Sequence, residues 1–148
     1  MHYTIGHFAR CYYFAGQALK LNPKNSEAAL FAAISAAGMG NITDARQLFE
    51  LSITAKPRIS EAFFNYALFL KRQKDYNGAL TVYQQHEQFF GPSFDVRLAM
   101  AGLYEIEGKD IKACNKYKQI SKSGFQVDAK TKRIIQRKIE TLCNQGEI

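Results

Sequence analysis

Apolar residues recur along this chain at the spacing of a helix face, and the faces themselves recur at a longer, fixed interval. The stretch Ser60–Phe90 sets the pattern: SEAFFNYALFLKRQKDYNGALTVYQQHEQFF reads as two amphipathic helices separated by a tight break at Lys74-Asp75. Small and aromatic positions then return in register. Ala33, Ala67 and Ala101 stand 34 residues apart, as do Ala45, Ala79 and Ala113, and as do Phe49, Tyr83 and Tyr117. Cys11 and Ala15 carry the second-helix series back by another 34. Gly6, Gly40 and Gly108 fall at the break between helices, where Lys74 completes the series. Pro23 and Pro57 close two copies, and Pro92 closes the third one residue late. Such a fixed interval predicts stacked helical hairpins, each covering the apolar side of its neighbour.

The chain joins this pattern midway. Residues from about His7 to Leu21 read as the second helix of a hairpin, so a partial repeat spans 1–23, with Phe8, Tyr12 and Ala15 half covered. That points to a truncated first hairpin, or to a neighbour packed in its place. Full repeats follow at 26–57, 60–92 and 94–124, then a capping segment at 126–145, all in a single domain, 1–148. Ser26 is the expected N-cap of the first full hairpin, and Glu27 favours the positive helix end. The helix Ser26–Met39 is crowded with alanines, which let helix axes approach closely, while Leu30, Phe31 and Ile34 supply bulk. Ile42 to Lys56 is its partner. In the next hairpin Phe63, Tyr66, Ala67 and Leu70 face Tyr76, Ala79, Leu80 and Tyr83. In the third, Arg97, Met100, Ala101 and Tyr104 face Ile111, Ala113, Cys114 and Tyr117. The last helix, from about Val127 to Cys143, abandons the interval. Its stripe of Val127, Ile134, Ile135, Ile139 and Leu142, flanked by charge, is that of a helix capping the final hairpin.

Composition narrows the classes. With 47% hydrophobic residues, 22% charged and three prolines, the chain is neither disordered nor collagen-like. No apolar run approaches the ~20 residues that span a bilayer. The opening MHYTIGHFARCYY lacks the basic start and unbroken apolar core of a signal peptide. A cytoplasmic setting is therefore favoured for the chain as given, and a periplasmic one if an upstream signal is missing. Cys11, Cys114 and Cys143 are too few and too scattered for a disulfide framework or a metal site. Their odd number leans towards a reducing compartment. Cys11 stands at an alanine position and is expected to be buried as a small hydrophobe. His2, His7 and His86 are scattered, and His86 lies on the second-helix packing series, which favours packing over general-base chemistry. With no glycine-rich phosphate loop, metal spacing or nucleophile motif, the expectation is no enzyme, no metal and no cofactor.

The packing positions resemble the tetratricopeptide repeat (TPR), whose pattern is W-x2-L-G-x2-Y, then A-x3-F, then P, within 34 residues. The second full hairpin reads Phe63-x2-Tyr66-Ala67-x2-Leu70, Ala79-x3-Tyr83 and Gly91-Pro92. The first reads Ala29-x2-Ala32-Ala33-x2-Ala36, Ala45-x3-Phe49 and Pro57; the third reads Arg97-x2-Met100-Ala101-x2-Tyr104 and Ala113-x3-Tyr117. Arg97 and the alanine run depart from the pattern. The resemblance covers about residues 6–124. It implies an all-α, right-handed superhelix of antiparallel helix pairs with a C-terminal capping helix.

It also implies a concave surface lined by first helices, where partners bind. Helical spacing places Leu30, Ile34, Phe64, Leu68 and Leu98 there, with Asn65, Lys71 and Arg72 beside them. Only Asn65 matches the lysine–asparagine–arginine set with which some chaperone-binding members hold a C-terminal carboxylate, so an apolar groove for a protein or peptide partner is the expectation. The resemblance extends to bacterial secretion chaperones and to assembly proteins of pilus and secretion machines. Charge supplies an alternative. The net charge is +7, and between Lys109 and Lys138 ten Lys/Arg face only Asp110 and Asp128. Lys130, Lys132, Arg133, Arg137 and Lys138 on the last helix form a basic patch that would suit nucleic acid or an anionic surface.

Overall fold

The computed structural model describes residues 5–144. Among them all regular structure is helical: α1 (Ile5–Leu21), α2 (Ser26–Gly38), α3 (Ile42–Thr54), α4 (Ser60–Arg72), α5 (Tyr76–Phe90), α6 (Phe94–Ile106), α7 (Asp110–Lys122) and α8 (Ala129–Cys143). His2 and the outermost residues of the partial repeat and of the capping segment lie outside the described residues. Contacts divide the chain into two compact units, one ending at Asp75 and the other beginning at Tyr76.

In the first unit α2 is the central helix, packing on α1, α3 and α4. Its sequence is apolar on nearly every side, as a helix with three neighbours requires. Ala28, Ala29, Leu30, Ala32, Ala33 and Ala36 are all buried. Asn25, rather than Ser26, caps this helix: its side chain accepts from the Ala28 amide at 3.0 Å. Ser26 is instead buried and donates to the Pro57 carbonyl at 2.6 Å, tying the start of α2 to the turn after α3. Phe8 and Tyr12 are half-buried, as the half-covered helix predicts, but Ala15 is buried. Cys11 is exposed, contrary to expectation. The other members of its series, Ala45, Ala79 and Ala113, are wholly buried. The difference is that no helix of the described residues precedes α1 to cover that side.

The break between paired helices imposes a left-handed residue. Gly40 and Gly108 have φ of 81° and 72°, and Lys74, the third of the series, is forced to 61°. A side chain there costs roughly 1–2 kcal/mol, while glycine's greater unfolded freedom costs about 0.5–1 kcal/mol. Lys74→Gly is therefore expected to raise the unfolding free energy by up to about 1 kcal/mol. Urea denaturation of the two proteins side by side checks this.

The second unit packs α5 on α6, α6 on α7 and α7 on α8. Ala101, Ala113, Cys114, Tyr117 and Ile120 meet Ile135 and Leu142 of α8 in one cluster. α8 thus covers the last hairpin, although it begins two residues later than its stripe suggests, because Asp128 caps it by accepting from the Thr131 amide at 2.6 Å. Ile134 and Ile111, both read as packing positions, are 48% and 65% exposed. Neither belongs to the 34-residue series; Ile134 sits one step around its helix from the buried Ile135, and Ile111 lies in the first turn of α7, a turn before the buried Cys114. The largest departure is covalent. Cys114 and Cys143, 29 residues apart, form a disulfide between α7 and α8 with their Cα atoms 5.4 Å apart. With two of three cysteines paired, the odd count no longer favours a reducing compartment.

Arg97, which breaks the repeat pattern, is the residue that braces this unit. Its Nε contacts Glu87 of α5 at 3.2 Å, and its Nη1 donates to the Ser123 hydroxyl at 2.6 Å. Its guanidinium lies 5.8 Å from the centre of the Phe125 ring. A leucine here would pack but could not join α5 to the turn after α7.

Candidate binding cleft

Ridges of α2 and α4 face each other across a cleft of about 210 Å³ in the first unit. Ile34, Asn65, Leu68 and Arg72 line it together, with Phe8 from α1 and Ile42 and Phe49 from α3. Both contributing helices are first helices of their hairpins. Leu68 is 40% exposed, so the cleft offers an apolar side chain to solvent beside a guanidinium. Asn65 is held in place by its own helix, its Nδ2 donating to the Glu61 carbonyl at 2.8 Å. Gly38 shapes the opposite wall: a Cβ at this position would lie 2.6 Å from the Phe8 ring.

The other residues expected in a groove are placed differently. Leu30 is buried in the first unit's core. Phe64 is half-buried and Lys71 exposed, and neither lines the cleft. Leu98 belongs to the second unit, packed against the cluster of α7 and α8.

On α8, Lys130, Lys132, Arg133 and Arg137 are exposed. Lys138 is partly covered and donates to Glu105 Oε1 at 2.8 Å. The Tyr117 hydroxyl donates to Glu105 Oε2 at 2.6 Å. Burial alone would raise the Glu105 carboxyl, but the hydrogen bonds from Lys138 and Tyr117 outweigh it and hold the carboxyl below the usual glutamate range. Burial first, and then the bond to Glu105, raises the Tyr117 hydroxyl, so it remains a donor at all ordinary pH. Tyr66 is raised in the same way, by burial and by its 2.5 Å bond to Glu50. His86 is buried, and burial lowers its pKa against the opposing pull of Glu87, which keeps the imidazole neutral near pH ~7.

A depressed carboxyl stabilises the fold above its unfolded value, about 4.3, and that contribution is lost as pH falls through the folded value. Glu105→Gln is therefore expected to be the less stable protein near neutrality. The gap should close below about pH 4. Unfolding midpoints across that range check the sign; a gap that widens in acid would contradict it.

None of the tyrosine–carboxylate bonds was legible from spacing, because each joins residues on different helices at intervals unrelated to the repeat. Among the described residues no three His, Cys, Asp or Glu side chains gather as metal ligands. No helix of the described residues is long and apolar enough to cross a membrane.

Helix pairs on a 34-residue interval, with the alanines of both series wholly buried, define a helical-hairpin repeat protein with the TPR fold. The crystal structure of MamA superposes with a TM-score of 0.70 over 95% of this chain and 80% of that one, at 17% identity. A chain of the Naa15/Naa10 structure bound to HypK-THB gives 0.69 at 18% identity, over 96% of this chain but only 22% of that one. YrrB, a TPR protein with an unusual peptide-binding site, gives 0.62 at 17% identity over 81% and 62%. No protein-family model matches the chain, and no curated protein sequence does.

Proposed function

We propose that the protein is a non-catalytic binding scaffold that holds a peptide of a protein partner in the cleft between α2 and α4. The observation that carries this reading is the pairing of Ile34 and Leu68 with Arg72 around one opening. Such a site takes an aliphatic anchor and places a cation beside it for an acidic neighbour. The peptide-binding site of YrrB, and the Naa15/Naa10 structure bound to HypK-THB, support the reading. A finer version makes the partner a subunit of a pilus or secretion machine, with this protein its assembly factor or chaperone; only the form of the repeat array supports it.

Leu68→Glu tests the site with little risk to the fold, since the side chain is already 40% exposed. The variant is expected to keep its helical circular dichroism. It should lose the partner that the intact chain retains in pull-down with mass spectrometry. Undiminished capture would reject the cleft.

A further inference from the structure

Where α7 ends and α8 begins, the turn through Ser123–Asp128 borders a second cleft, of about 470 Å³ and wholly within the second unit. Its floor is apolar: Ile120 and Ile135 are buried, and Phe125 and Val127 are half-buried. Its lip is cationic, with Lys132 and Arg133 both exposed. This is a built site. The Phe125 ring stands edge-on to Phe94 at 6.2 Å and under the Arg97 guanidinium. Arg97 also fixes Ser123, and the disulfide fastens the α8 wall to α7.

Charge lining the cleft is one-sided: Lys132 and Arg133 stand there, with no carboxylate among the lining residues. The surrounding sequence has the same bias, with ten Lys/Arg between Lys109 and Lys138 against Asp110 and Asp128. Asp128 is engaged at the start of α8, and the nearby carboxylates of Glu105, Glu107 and Glu140 are held by Lys138, Lys109 and Gln136.

We propose that this cleft docks an acidic peptide segment bearing an aliphatic anchor. The anchor enters among Ile120, Phe125, Val127 and Ile135, and flanking carboxylates pair with Lys132 and Arg133. The lining favours a peptide over single-stranded nucleic acid. Bases need an open aromatic face to stack on, whereas the one ring here is already engaged by Arg97 and Phe94, and the other apolar groups are aliphatic. A peptide also uses the apolar floor, which a polyanion binding through charge alone leaves idle.

The test uses the whole oxidised chain carrying Leu68→Glu, so that the α2–α4 cleft does not contribute. A fluorescein-labelled peptide of alternating glutamate and leucine is the probe, followed by fluorescence anisotropy. Lys132→Glu with Arg133→Glu, and separately Val127→Glu, should each weaken binding by roughly tenfold or more, with far-UV circular dichroism unchanged. A polyglutamate of the same length should bind at least about tenfold more weakly than the leucine-containing peptide. Equal binding of the two peptides, or binding that survives the double charge reversal, overturns the proposal. So does a poly(U) RNA or a phosphatidylserine vesicle that binds more tightly than the peptide and loses binding on the same substitutions.

Discussion

Phe49→Ala is expected to cost about 3–5 kcal/mol of stability, the range for deleting an enclosed aromatic ring. Phe49 is 2% exposed. Its ring lies parallel to that of Tyr66, centroids 5.3 Å apart, and 5.1 Å from that of Phe69, so one turn of α4 closes on it. Tyr66 is fixed in turn by its bond to Glu50, and the Arg46 guanidinium sits 5.9 Å from the Phe69 ring. With the surroundings held on several sides, they cannot collapse into the space, and this sets the cost near the top of the range. Phe31 provides the control: it is 53% exposed, and Phe31→Ala should change stability by about 1 kcal/mol or less. Urea unfolding followed at 222 nm distinguishes them. Equal losses for both substitutions would mean that the ring of Phe49 is not enclosed.

Phe49 also shows why so much of the fold was legible. It is one of a series, with Tyr83 and Tyr117, and its interval alone marks it as a gap-filling position. Ala33, Ala67, Ala101, Ala45, Ala79 and Ala113 were marked in the same way, and all six are 0% exposed. A repeat lets each copy vouch for the others, because the same neighbour arrives on the same side every 34 residues. Where that neighbour is missing from the described residues the inference fails, as it does for Cys11 on α1.

The clefts were less legible, for a related reason. Periodicity says which face of a helix turns inward within its own hairpin. It does not say how far neighbouring ridges separate, which decides whether a residue such as Leu30 is buried and one such as Leu68 is open. Ile34, Asn65, Leu68 and Arg72 were named together and lie together. Phe8 and Gly38 were not, since their meeting depends on how α1 packs on α2. Arg97 read as a flaw because its partners, Glu87, Ser123 and Phe125, are not at repeat intervals.

The Cys114–Cys143 bond was hidden by the same limit, since α8 has no place in the repeat register, and its removal should have the second large effect. α8 buries only Ile135 and Leu142 fully. Its ion pair, Lys138 with Glu105, is partly exposed, and such pairs contribute at most about 1 kcal/mol. A cross-link closing a loop of 29 residues restricts the unfolded chain by about 3–4 kcal/mol. The covalent link therefore contributes about as much to holding this helix as the burial of those two side chains, at roughly 1.5–3 kcal/mol each. Cys114→Ala with Cys143→Ala, or a dithiol reductant acting on the native chain, is expected to lower the unfolding free energy of the second unit by about 3–4 kcal/mol. Alanine suits the buried side of α7, where Ala113 already sits, so the substitution itself adds little strain. Reductant should have no effect on the double variant. It should open the wild-type chain to limited proteolysis within α8 before α7 is cut, because α7 keeps its packing on α6. A thiol titration of the denatured, unreduced protein that finds three free cysteines, or identical unfolding midpoints with and without reductant, would show that α8 is held by packing alone.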